Sequence, residues 1–156
     1  SVAISGGTFN SGLIIDNLGT GATLDISGGI FNTPLAIRQF QGDLIISGGY
    51  LINGVSIFNS FIPGSLSTAT FIGSDWYLGN TPLVFSGNNT FDLTGQIGYL
   101  NGTLADGNTF GIFLDTAYNP AQITVINTVP IPAALPLFSV GLGLLGFMAR
   151  RRVVAK

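Results

Sequence analysis

Apolar side chains recur at every second position in short runs through the first third of the chain, and the runs return in register. Val2 and Ile4 lead into Ser5-Gly6-Gly7 and are followed by Phe9. Leu24 and Ile26 lead into Ser27-Gly28-Gly29 and are followed by Phe31. Leu44 and Ile46 lead into Ser47-Gly48-Gly49 and are followed by Leu51. The serines stand 22 and then 20 residues apart. A breaker follows in each copy (Gly12, Pro34, Gly54), and then a second alternating run: Leu13 and Ile15, Leu35 and Ile37, Val55 and Ile57. A spacing of two is the period of a strand, whose side chains alternate between faces. Strand-like units repeated about every 20 residues mark a stacked-repeat architecture.

The physical picture is one of coils. Each has one strand ending at Ser-Gly-Gly, where the backbone can bend through conformations that a Cβ would forbid. A second strand starts after the Gly or Pro. Apolar residues point inward, and neighbouring coils stack at the strand spacing of about 4.8 Å. No single coil can bury its apolar face, so the stack makes the core. Ile4, Ile26 and Ile46 are therefore expected to form one inward ladder, and Phe9, Phe31 and Leu51 another. A Gly-rich linker would not hold Ile and Phe in register in this way. A calcium-binding nonapeptide repeat needs an Asp in each Gly-rich turn, and the Ser-Gly-Gly turns have none.

The repeat fades after about residue 64. Strand-like runs continue at Ala69–Ile72, Trp76–Leu78, Leu83–Phe85, Thr90–Leu93, Ile97–Leu104, Thr109–Leu114 and Ile123–Ile126. Asp106-Gly107 between two alternating runs is a hairpin signal. The predicted fold is thus all-β: a parallel β-helix or solenoid of 20–22-residue coils over 1–65, a terminal β-rich module over 66–128 that covers the last coil, and a hydrophobic, helical segment over 129–156.

Charge sharpens this division. The chain of 156 residues has 23 Gly, no Cys, no His and no Glu, and charged residues make up 8% of it. Residues 1–149 hold seven Asp (Asp16, Asp25, Asp43, Asp75, Asp92, Asp106, Asp115) against the single Arg38, a net charge of −6. Arg150, Arg151, Arg152 and Lys156 supply the other cations. An acidic body without a basic stripe excludes nucleic acid as a partner. An apolar content of 46% is too high for a disordered chain.

The end of the chain has three parts in order: Val129-Pro130-Ile131-Pro132-Ala133-Ala134, an apolar run, and Arg150-Arg151-Arg152. Ile131 to Ala149 is 19 residues without a charge, long enough to span a bilayer. The Arg cluster places the C-terminus on the cytoplasmic side and the acidic body outside. This order of parts resembles the PEP-CTERM sorting signals, and among them the VPLPA-type variant, with Ile131 standing where the name-giving motif has Glu. Gly102-Thr103-Leu104-Ala105-Asp106-Gly107 followed by Gln122-Ile123-Thr124-Val125 is similar to a segment often found just before such tails. The resemblance implies an exported protein of a Gram-negative bacterium, held transiently in the inner membrane through 131–149. It implies a membrane-embedded exosortase as partner, reading Val129, Pro130, Ile131, Pro132 and Ala133. Its destination would be the outer surface or the medium.

Candidate chemistry is sparse. Without His there is no imidazole base and no Ser-His-Asp triad. Without His, Cys and Glu a zinc site is not expected. Glycoside hydrolysis needs two carboxylates flanking one bond, but Asp25 and Asp43 occupy different columns of the repeat. Asp16 and Arg38 share a column and are expected as outward neighbours on adjacent coils. Trp76 and Tyr77 are the aromatic candidates for stacking on a sugar, against the plainer role of packing the terminal module. The sequence is therefore read as a non-enzymatic, structural or adhesive component of a cell surface or matrix. No cofactor or metal is expected, and an exopolysaccharide is the further candidate partner. The alternative is a carbohydrate-binding or polysaccharide-degrading β-helix whose site lies in missing N-terminal coils.

Overall fold

A computed structural model describes residues 1–16, 19–38, 41–52, 54–58, 67–85, 89–115 and 122–128. These residues are all-β, with no helix among them. The strands are β1 (Val2–Phe9), β2 (Leu13–Asp16), β3 (Thr23–Phe31), β4 (Leu35–Arg38), β5 (Asp43–Leu51), β6 (Val55–Phe58), β7 (Thr68–Leu78), β8 (Thr81–Pro82), β9 (Thr90–Asp92), β10 (Gly98–Leu104), β11 (Thr109–Leu114) and β12 (Gln122–Asn127).

The repeated segments form three strand–corner–strand units: β1 with β2, β3 with β4, β5 with β6. Their first strands lie side by side and parallel, and so do their second strands, in a separate three-stranded sheet. Ile4 pairs with Ile26 and Ile26 with Ile46. Phe9 pairs with Phe31 and Phe31 with Leu51. Leu13, Leu35 and Val55 form a further row, as do Ile15, Ile37 and Ile57. Ile26, Ile46, Leu35 and Ile37 are fully buried, whereas Ile4, Phe9, Leu13 and Ile15 on the outermost unit are half-buried. The Phe9 and Phe31 rings stack at 4.7 Å and 10°.

Ser-Gly-Gly does not end a strand, as the sequence suggested. The strand runs through it and bends, and the pairing slips by one there: Ser5 faces Gly28 and Ser27 faces Gly48 before the register recovers at Thr8 and Ile30. The two glycines serve different needs. The second, Gly7, Gly29 or Gly49, has φ of +96° to +110°, open to glycine and strained for other residues. The first is required by contact. A Cβ on Gly28 would stand 2.6 Å from the Ser5 carbonyl oxygen, and one on Gly48 would strike that of Ser27.

Beyond the units the larger sheet becomes mixed. β7 continues the parallel series, with Asp43–Ile46 against Thr68–Phe71. It then forks. Its first half also pairs in parallel with β12, and its second half pairs antiparallel with β10 and β8. β10 and β11 form the hairpin announced by Asp106-Gly107, with Gly107 at φ +89°. Trp76–Leu78 is part of β7 and not a separate strand, while Leu83–Phe85 lies outside any strand. Leu100, Leu104, Phe110, Ile112 and Leu114 point inward and join the core of the units.

Candidate functional site

The predicted sorting residues Val129, Pro130, Ile131, Pro132 and Ala133, the apolar run 131–149 and the cluster Arg150, Arg151 and Arg152 lie outside the described residues. Among the described residues no helix is long and apolar enough to cross a membrane. The strand-forming body therefore supplies the remaining candidates.

Its carboxylates are dispersed. No group of three metal-ligating side chains occurs among the described residues. Asp25 pairs across the sheet with Ala3 and Ile45, Asp43 with Thr23 and Thr68. Asp43 accepts a hydrogen bond from the Thr68 hydroxyl at 2.6 Å. Asp16 and Arg38 are register partners on β2 and β4, both exposed.

Asp106 has the most developed surroundings. At the tip of the β10–β11 hairpin its carboxylate accepts the backbone N–H of Gly49 at 2.5 Å, pinning the hairpin to the Ser-Gly-Gly corner of the third unit. The Asn108 amide and backbone N–H also donate to it, at 2.8 and 3.1 Å. Partial burial alone would raise its pKa, but these hydrogen bonds outweigh it and hold the carboxyl below its ordinary value. Its role is attachment between two parts of the fold.

The aromatic candidates separate. Trp76 is 2% exposed and meets Phe110 edge-on at 6.1 Å, so it packs the core and presents no face to a ligand. A Cβ on Gly102 would enter the indole, so this glycine makes room for it. Asp75, at φ +53°, occupies a bulge between β7 and β10, directly before inward Trp76 and outward Tyr77. Tyr77 is 39% exposed.

The sequence reading missed the companions of Tyr77. Tyr99 faces Phe113 across the hairpin, and Asn101 faces both Gly111 and Tyr77. Directly paired residues share a sheet face. Tyr77, Tyr99, Asn101 and Phe113 therefore stand on the outer face of β7, β10 and β11, with Tyr99 51% and Phe113 59% exposed. Gly111 leaves space that the Tyr99 phenol occupies. Beside them an open groove of about 380 Å³ is lined by Ile52, Gly54, Asn101 and Thr109 as well as Tyr99 and Phe113, and no lining residue is charged. The turn signal alone pointed one register off: a two-residue turn at Asp106-Gly107 would set Tyr99 opposite Leu114, whereas the pairing is centred on Asp106 and sets it opposite Phe113.

The groove at Tyr99 and Phe113, with an amide and a hydroxyl alongside, can stack on apolar ring faces and hydrogen-bond neutral polar groups, while Tyr77 stands beside the exposed Asp75. Among its described lining residues the groove has no acid–base pair and no cation for an anionic ligand. No protein-family model, curated protein or solved structure matches this chain.

Proposed function

We propose that this chain is an exported bacterial surface or matrix protein, structural or adhesive and without catalytic activity, sorted by a PEP-CTERM-like tail. The observation that carries the reading is the order of parts in the last 28 residues: Val-Pro-Ile-Pro-Ala, an apolar run that completes 19 uncharged residues from Ile131 to Ala149, and three arginines. A membrane-embedded exosortase acts near Val129–Ala134, and the segment 131–149 holds the chain in the inner membrane until then. The body is then released as a more acidic species, since the tail carries four of the five cations. In this reading the strand–corner–strand units are coils of a parallel β-solenoid serving as spacer or matrix element. Their in-register parallel pairing supports it. The block from β7 onward terminates the stack.

The test is intact-mass analysis of surface and medium fractions from the native host. Processed chain lacking Arg150–Arg152 is expected, and finding only the full-length chain refutes processing. Replacing Pro130 and Pro132 by Ala should block cleavage while the apolar segment still inserts.

A second reading, carbohydrate binding, is favoured by the aromatic face of Tyr77, Tyr99 and Phe113. It complements the first by giving the adhesive body an exopolysaccharide ligand.

A further inference from the structure

Gly6 has no reason within this fold to be glycine. Its counterparts Gly28 and Gly48 are fixed by the carbonyl of the preceding unit, which leaves no room for a Cβ. Among the described residues a Cβ on Gly6 would meet nothing within 4 Å, and its φ is not in the left-handed region. The space it keeps clear is on the outer edge of β1, where a preceding unit would present its own serine carbonyl. The surrounding edge is unfinished in the same sense. β1 and β2 are the outermost strands of their sheets. Val2 is 47% exposed, and Ile4, Phe9, Leu13 and Ile15 are only half-covered, whereas their partners Ile26, Phe31, Leu35 and Ile37 in the next unit are buried. Every apolar column of the stack stops one member short of closure on this side.

We infer that the outer edge of β1 and β2 is a docking surface for one further unit of the same repeat, joined ahead of Ser1 as β1 and β2 lead into β3, and packed in parallel with its serine carbonyl over Gly6. The orientation follows from the corner. The one-residue slip at Ser-Gly-Gly and the bend at Gly7 are matched only by a parallel strand bending at the same place. A second copy of this chain does not fit as the donor. The equivalent face of its last unit is taken, with β7 along Asp43–Ile46 and Asp106 on Gly49. An unpaired edge of this kind otherwise offers a row of free backbone donors and acceptors for unwanted pairing.

The experiment compares the full chain, in a mild detergent, with a version carrying a duplicate of residues 1–22 ahead of Ser1, which preserves the 22-residue spacing. A second version duplicates residues 23–42, with the 20-residue spacing, so that the result does not rest on one junction. Amide hydrogen exchange in β1 and β2 should slow to the rates of β3 and β4, and the thermal midpoint should rise. Gly6→Ala should leave the parent's midpoint unchanged or slightly higher, since it removes glycine's excess freedom from the unfolded chain. In the extended chains the same change should abolish both the added protection and the rise. Gly28→Ala should lower the midpoint in all of them, which checks the contact geometry. The inference is overturned if neither added unit slows exchange in β1. It is equally overturned if Gly6→Ala acts alike in parent and extended chains, or if the parent forms a concentration-dependent dimer that protects β1.

Discussion

Truncating Ile26 to Ala probes the central claim that the repeats form a single interior. Ile26 is fully buried between Ile4 and Ile46 in the middle of its row. The change removes the Cγ1, Cγ2 and Cδ1 groups, each contributing about 0.8 kcal/mol when buried, or about 2.4 kcal/mol together. The neighbours are strands locked by ladder hydrogen bonds on both sides and collapse little. The void adds about 24 cal/mol for each Å³ left open, bringing the expected loss to about 3–4 kcal/mol. Against a typical domain stability of about 5–15 kcal/mol this is a large fraction. Ile4→Ala is the internal control. It removes the same atoms from the same column, but from the half-exposed end member, and should cost about half as much or less. Urea unfolding followed by far-ultraviolet circular dichroism measures both, with an unchanged slope confirming that the end states are comparable. Equal losses for the two variants, or a loss at Ile26 below about 0.5 kcal/mol, a typical surface value, would refute the interior ladder.

Three further outcomes are expected. Asp106 has a folded pKa below its unfolded one, so its contribution is complete above the unfolded value and is lost as pH falls through the folded value; Asp106→Asn should flatten the acid limb of urea midpoints measured between about pH 2 and pH 6. Gly29→Ala forces a residue with a Cβ to φ +110° beside the Phe31 ring and should cost about 1–3 kcal/mol in the same unfolding assay. Tyr99→Ala and Phe113→Ala should leave the unfolding midpoint nearly unchanged yet reduce retention on immobilised neutral polysaccharide, and unchanged retention in both would remove the carbohydrate reading.

The apolar rows were legible because three copies of one pattern average out local ambiguity. Ile4, Ile26 and Ile46 could be aligned without knowing the turn that joins them, and Asp16 fell opposite Arg38 by the same arithmetic. The corner itself was misread. Glycine marks a place where the chain can bend, but not whether hydrogen bonding continues through the bend, and here β1, β3 and β5 all run on. Nor could sequence separate the two glycines, because one answers to φ and the other to a carbonyl of a different unit. Beyond residue 66 each strand occurs once, so pairing could not be inferred by comparison. The parallel return of β12 to β7 depends on contacts more than fifty residues apart and leaves no local trace. Trp76 and Tyr77 illustrate the same limit. Adjacent aromatics in a strand face opposite ways, and which one is buried was decided by Gly102 on another strand.

The fork in β7 bears on the order in which the molecule assembles. Parallel neighbours among the repeats are joined by loops of similar, short span, so each can close soon after its strand is made, whereas β12 must come back to β7 across more than fifty residues. Closing the longer loop carries the larger entropic penalty, and pairings of high sequence separation form slowly. During synthesis the first strands emerge first, so β7 spends an interval with β5 on one side and nothing on the other. In that interval its Ala69, Thr70, Phe71 and Ile72 stretch is an open β-branched and aromatic edge, prone to association. Pulse-labelled amide exchange during refolding should accordingly show β3 and β5 protected before β12, with the last described strand closing the slowest step.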